Sequence, residues 1–181
     1  MTESVATPSP TEIQADTLAS LRQALGDDAF TTSEFRDNLR LHIESGQLIR
    51  LISTLRDSCG FTMLAELGGA DYLNYPTRPS DAPRFEVHYI VLNPDTNRRI
   101  IVKVGVPISD PTLPSLTSLW SGANWMEREI FDMYGIKFDG HPDLRRILMP
   151  DEFTAHPLRK DYPLRGRGER HNFPRLTRGE S

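Results

Sequence analysis

The sequence predicts an α+β protein: a two-layer α/β sandwich with a mainly antiparallel mixed sheet, followed by an extended C-terminal docking arm. Two helical periodicities interleaved with at least four strand-sized runs of period two predict the sandwich. The arm is predicted by composition: from Asp139 onward five prolines fall in 43 residues with no sustained periodicity. Backbone of that kind cannot satisfy its own hydrogen bonds and has to lean on another surface, in this reading a second chain. The chain divides accordingly into a tail (1–10), the sandwich (11–106), a helical segment (107–138) and the arm (139–181).

The first helix is placed at 11–25. Ser9-Pro10-Thr11-Glu12 has the spacing of a capping box with proline in the first turn, and Ile13, Thr17, Leu18, Leu21 and Leu25 recur at helical intervals up to Gly26. From Phe30 to Glu44 the chain reads as one half-buried strand, because Leu39, Leu41 and Ile43 alternate with Asn38, Arg40 and His42. A second helix over 47–58 gathers Leu48, Leu51, Ile52 and Leu55 on one face, with Gly60 positioned as a C-terminal cap. Phe61, Met63, Ala65 and Leu67 restore period two, and the three prolines between Tyr75 and Pro83 mark a loop. Phe85–Leu92 and Ile100–Val106 form a hairpin around Asn93-Pro94-Asp95-Thr96-Asn97.

Beyond Pro107 a short helical stretch is expected from Ser115 to Trp120. Asn124, three residues before Glu127, then opens a capping box for a helix over 125–134 that stops at Gly135. Around it cluster Trp120, Trp125, Phe131, Tyr134, Phe138, Phe153 and Tyr162, set among arginines. Aromatics beside arginine are enriched where one protein surface docks on another.

Composition excludes several classes. The one cysteine, Cys59, permits neither an internal disulfide nor a thiolate cluster, and reads as a small buried residue at a helix–strand junction. No apolar run approaches the roughly 20 residues needed to span a bilayer, and the first ten residues lack the features of a secretory signal. Residues 1–138 carry 12 basic and 18 acidic side chains, whereas residues 139–181 carry nine and seven, so the electrostatic character changes near Asp139.

The charged residues admit three readings. Glu129, Asp132 and His141 could serve a metal-dependent hydrolase, and His141, Asp143 and His156 could form a ligand set. Against this, Glu127 projects away from Glu129, Arg128 stands where it can neutralise Asp132, and His141-Pro142 and His156-Pro157 read as two corners of an extended chain. The basic track of Arg145, Arg146, Arg159, Lys160, Arg165, Arg167, Arg170, Arg175 and Arg178 could bind nucleic acid, but Asp143, Asp151, Glu152, Asp161 and Glu169 interrupt it. A mixed field suits ion pairs within or between chains, and the expected charged contacts are Arg128, Arg145, Arg146, Arg159 and Lys160, with Glu127, Glu129, Asp132, Asp143 and Asp161 as partners.

The stretches GANWMEREIFDMYGI, FDGHPDLRRILMP and HPLRKDYPL resemble the C subunit of the bacterial proton-translocating NADH-quinone oxidoreductase, the counterpart of the 30-kilodalton subunit of respiratory complex I. The resemblance is dense from Pro107 to Leu164. It implies a non-catalytic subunit of the peripheral arm that binds no cofactor itself, within a complex that uses FMN, iron–sulfur clusters, NADH and quinone. It further implies a C-terminal extension that wraps over the 49-kilodalton-type (D) subunit, with the B and I subunits as further neighbours. The location implied is peripheral, on the cytoplasmic face of the inner membrane, without nucleic acid. The implied interface comprises Trp125, Glu127, Arg128, Glu129, Asp132, Gly135, His141, Pro142, Asp143, Arg145, Arg146, His156, Pro157, Arg159, Lys160, Asp161 and Tyr162. One departure from the family pattern is Phe153 followed by Ala155, where the family has Trp and Gly.

Overall fold

The computed structural model describes residues 10–36 and 38–169. Its elements run α1 (Pro10–Leu25), β1 (Phe30–Phe35), β2 (Asn38–Ile43), α2 (Leu48–Cys59), β3 (Met63–Asp71), β4 (Phe85–Asn93), β5 (Arg98–Val106), β6 (Thr112–Pro114), α3 (Ala123–Tyr134) and β7 (Lys137–Asp139). The proposed cap residue Ser9 lies outside the described residues, as do 170–181.

Five strands form the main sheet in the order β1-β2-β5-β4-β3. Within it only β2 and β5 pair in parallel, so the sheet is mixed and mostly antiparallel, as its sequence pattern implies. The parallel pair follows from chain geometry: the α2–β3–β4 excursion separates β2 from β5, long enough for a crossover. Helix α2 ends where Gly60 takes the left-handed conformation (φ 76°), the expected glycine cap.

The single strand read from Phe30 to Glu44 is instead a hairpin. Arg36 adopts positive φ at the turn, and Phe30 pairs with Ile43 in the antiparallel register. Two further readings are corrected. Period two breaks within β3, where a register shift between Leu64 and Glu66 leaves Met63 exposed and carries the strand on to Asp71. Residues 115–120 form turns rather than a helix and follow β6, a three-residue strand paired in parallel with β7.

The core lies between the helices and one face of the sheet. Leu48, Leu51, Ile52 and Leu55 of α2 and Leu21 of α1 are fully buried with Val87, Tyr89, Val91, Val102 and Val104. Each of these aliphatic side chains contributes about 1.5–3 kcal/mol of burial. Helix α3 occupies the same face, over β3, and its approach depends on Gly69: a Cβ there would stand 2.9 Å from the Tyr134 ring. The opposite face of the sheet carries no helix among the described residues.

Candidate functional site: the clamp around helix α3

Helix α3 begins at Ala123 rather than Trp125. Gly122 is its N-cap, with no side-chain cap bond, so Asn124 and Glu127 do not form the expected box. Glu127 turns inward and is fully buried, accepting from Ser115 Oγ at 2.7 Å and from the Leu116 N–H at 2.6 Å. It thereby ties α3 to the turn after β6. Burial pushes its carboxyl above the ordinary range, opposed by those two donors and by His141.

His141 stands beside it, Nε2 4.0 Å from Glu127 Oε2 with both side chains fully buried. Its ring nitrogens have other partners: Nε2–H donates to the Asn124 carbonyl at 3.2 Å, and Nδ1 accepts from the Asp143 N–H at 3.0 Å. The ring makes a corner of the chain, as His141-Pro142 suggests.

The second buried carboxylate, Asp132, organises the following segment. Its Oδ1 accepts from Arg146 Nη1 at 2.6 Å, and its Oδ2 accepts from three consecutive backbone N–H groups, those of Ile147, Leu148 and Met149, at 3.1, 2.8 and 2.8 Å. Burial alone would raise this carboxyl, but the N–H groups of Met149 and Leu148, the Arg146 guanidinium and the Ile147 N–H together hold it below the usual range. Arg128, expected to neutralise Asp132, does something else: it donates to the carbonyls of Arg145 and Arg146 at 3.1 Å each. The helix thus grips residues 145–149 through one acceptor and one donor, facing pairs that periodicity along the helix cannot reveal.

The grip continues. His156 Nδ1–H donates to the Asp132 carbonyl at 2.9 Å, Arg159 Nε–H to the Tyr134 carbonyl at 2.6 Å, and the Leu158 N–H to the Met133 carbonyl at 3.2 Å. These donors cap the last carbonyls of α3, which a helix leaves unsatisfied. Gly135 lets them approach: it is left-handed (φ 74°), and a Cβ would sit 2.5 Å from His156 Nε2 and 2.6 Å from Arg159 Nη2. Arg159 also lies over the Phe85 ring at 5.2 Å. Phe153 is buried edge-on against Tyr162, ring centroids 5.9 Å apart, so the position keeps an aromatic anchor. Ala155 needs no glycine conformation and presents its carbonyl to Arg146 at 3.1 Å.

Asp71, at the end of β3, closes the arrangement, and sequence reasoning does not find it. Its buried carboxylate pairs with Arg84 at 2.7 Å and accepts from the Lys160 N–H at 2.8 Å and the Leu73 N–H at 2.9 Å. Arg84 also pairs with Asp161 at 2.9 Å. The one available signal is an acidic residue at a strand end, opposite an arginine at the next strand's start.

The first part of the predicted arm, residues 140–162, therefore leans on this chain's own α3 and β3. Of the hydrolase residues, Glu129 is exposed, Asp132 is saturated and His141 is engaged elsewhere. Among the described residues no group of three His, Cys, Asp or Glu is placed to hold a metal ion. Cys59 is half-buried, its thiol pushed up by burial. Outward from the clamp project Trp125 (62% exposed), with Arg128 over its ring, Leu148 (60%), Leu158 (50%), Asp143 and Arg145, the last two paired at 2.8 Å. Pro142, Pro157, Lys160 and Tyr162 lie along the same segment.

Fold and site together define a small α+β domain in which the buried clamp carboxylates Glu127, Asp132 and Asp71 each accept backbone N–H groups of the chain. Residues 41–168 match the family described as the respiratory-chain NADH dehydrogenase 30 Kd subunit. The chain is 47% identical over 149 residues to the NADH-quinone oxidoreductase C subunit of Roseiflexus castenholzii, covering 81% of this chain and 82% of that protein. It is 43% identical over 151 residues to the C subunit of Burkholderia thailandensis, covering 82% and 76%. Among solved structures, a trypsin-resistant fragment (1–134) of Nqo5 superposes with a TM-score of 0.64 at 33% identity, covering 73% of this chain and 99% of the fragment. A chain of the archaeal membrane-bound sulfane sulfur reductase shares the fold, with a TM-score of 0.70 at 16% identity over 92% of this chain and 96% of that one. The chain belongs to the family of the 30 Kd subunit of the respiratory-chain NADH dehydrogenase, the C subunit of NADH-quinone oxidoreductase. No described helix is long and apolar enough to cross a membrane.

Proposed function

We propose that this chain is a structural and assembly subunit of the peripheral arm of proton-translocating NADH-quinone oxidoreductase, supplying no catalytic residue and binding no cofactor of its own. FMN, the iron–sulfur clusters, NADH and quinone are handled by its companions at the cytoplasmic face of the membrane. Its dock is the clamp surface, with the 49-kilodalton-type (D) subunit as the main partner and the B and I subunits beside it. One observation carries this reading. The buried carboxylates of the clamp are occupied in positioning backbone, while Trp125, Leu148, Leu158 and Arg145 are left exposed along the elements it joins. Tryptophan and arginine are the residue types enriched among interface hot spots, and exposed apolar side chains beside them mark an interaction surface.

The test is assembly. In cells whose own copy is replaced by a tagged chain, Arg145→Ala combined with Trp125→Ala should deplete the assembled complex while the isolated variant keeps its unfolding midpoint. Normal assembly with lost turnover would overturn the reading and point to a direct catalytic role.

A further inference from the structure

The sheet face turned away from the helices has an ordered side-chain pattern that the clamp does not use. The registers place Met63, Leu92 and Arg99 in one row across β3, β4 and β5, and Asn38 and Phe35 continue it across β2 and β1. Arg99 Nε–H donates to Asn38 Oδ1 at 2.6 Å, in keeping with that alignment. The next row is Glu66, Ile90, Ile101, Arg40 and Ser33. At about 4.8 Å between strands, the two rows form a platform roughly 19 Å wide.

Three features mark this platform as a surface with a missing cover. Phe35 is 50% exposed and Met63 49% exposed, and Ile90, Leu92 and Ile101 are only partly covered and lie outside the core cluster. Arg40 and Arg99 have no carboxylate within ion-pair distance among the described residues, and Arg40 Nε–H is buried with no acceptor. Arg40 is held instead over the Phe35 ring, 4.5 Å from its centroid, which fixes the guanidinium at the platform's rim. Cations without a carboxylate at an apolar rim, on a chain of net charge −4, call for a partner that brings its own acids.

We propose that this face docks an acidic amphipathic helix of a neighbouring subunit. A helix about 10 Å across covers two strands, so an apolar stripe laid over Ile90 and Ile101 would reach Leu92 and Met63. Acidic residues bordering that stripe on one side would meet Arg40 and Arg99. The inference rests on the assembly reading but concerns a second surface, on the opposite side of the domain from α3.

The test uses the assembled complex. The double reversal Arg40→Glu and Arg99→Glu should lower the amount of chain recovered with the complex by about tenfold. Arg22→Glu on α1 should leave it unchanged, and far-ultraviolet circular dichroism should show both variants folded. A photo-cross-linking residue at Ile101 should capture, from another subunit, a peptide with Asp or Glu at helical spacing. Unchanged recovery of the double variant, or cross-links that reach lipid, nucleic acid or no other subunit, would overturn the inference. If the unmodified chain itself were not recovered with the complex, the assembly reading would fail as well.

Discussion

Arg146 Nη1 and Asp132 Oδ1 meet at 2.6 Å, with the aspartate side chain fully buried and the arginine 14% exposed. Because the other aspartate oxygen holds three successive N–H groups, this pair fixes both a charge and a stretch of main chain. Asp132→Asn keeps the shape but leaves Arg146 uncompensated, and should cost about 3 kcal/mol in urea unfolding. Residues 140–162 should also become the first site of proteolysis. A variant as stable as the parent would show that the grip is dispensable.

The two classes of buried carboxylate predict opposite pH slopes. Asp132 and Asp71 are held below the ordinary carboxylate range, Asp71 by Arg84 and the Lys160 and Leu73 N–H groups against the effect of burial. The unfolded chain therefore binds protons first as pH falls, and their contribution is present above about pH 4 and lost below it. Glu127 is displaced upward by burial, so the folded chain binds its proton first and its contribution is lost as pH rises past the ordinary value. Glu127→Gln should flatten the upper part of the stability–pH curve, measured by thermal unfolding, and leave the acid limb in place. An altered acid limb would reassign the titrating group.

Gly135→Ala combines a left-handed backbone with a Cβ driven into His156 and Arg159. Strain of that kind costs roughly 1–3 kcal/mol, and the clamp loses its contacts at the end of α3. The expected signature is enhanced hydrogen exchange at Leu158 and Lys160, whose N–H groups bond to Met133 and Asp71. Gly122→Ala, where a Cβ meets nothing, is the matched control.

Trp125→Ala should be nearly silent in the isolated chain, because the indole is 62% exposed. In the assembled enzyme, loss of an anchor of this type typically costs about 2 kcal/mol or more of binding. Co-purification with the complex, compared between the variant and the parent, checks it.

The elements most legible in sequence are those whose signal is local. Gly60 and Gly135 announce helix ends because only glycine enters the left-handed region cheaply, and both are found there. The Phe30–Ile43 hairpin is hidden because its turn, at Arg36, lacks the glycine that normally marks one. In the clamp, the importance of Asp132, His156 and Arg159 is visible, but their partners are not. Asp132 reaches Arg146 and residues 147–149 across a chain reversal, and no periodicity records that distance. The arm reads as needing a foreign support because prolines exclude regular elements. They do not exclude backbone donors, and this chain supplies side-chain acceptors for several of them.

Asp71 joins three places at once: the end of β3, the start of β4 through Arg84, and the docking segment through Lys160. Sheet and segment therefore share this fastening, reinforced by the Arg84–Asp161 pair and by Arg159 over the Phe85 ring, and loosening either exposes the same anion to water. Heat or denaturant should release both in one cooperative step, so a cell's proteases would encounter the unassembled subunit either wholly sealed or wholly open.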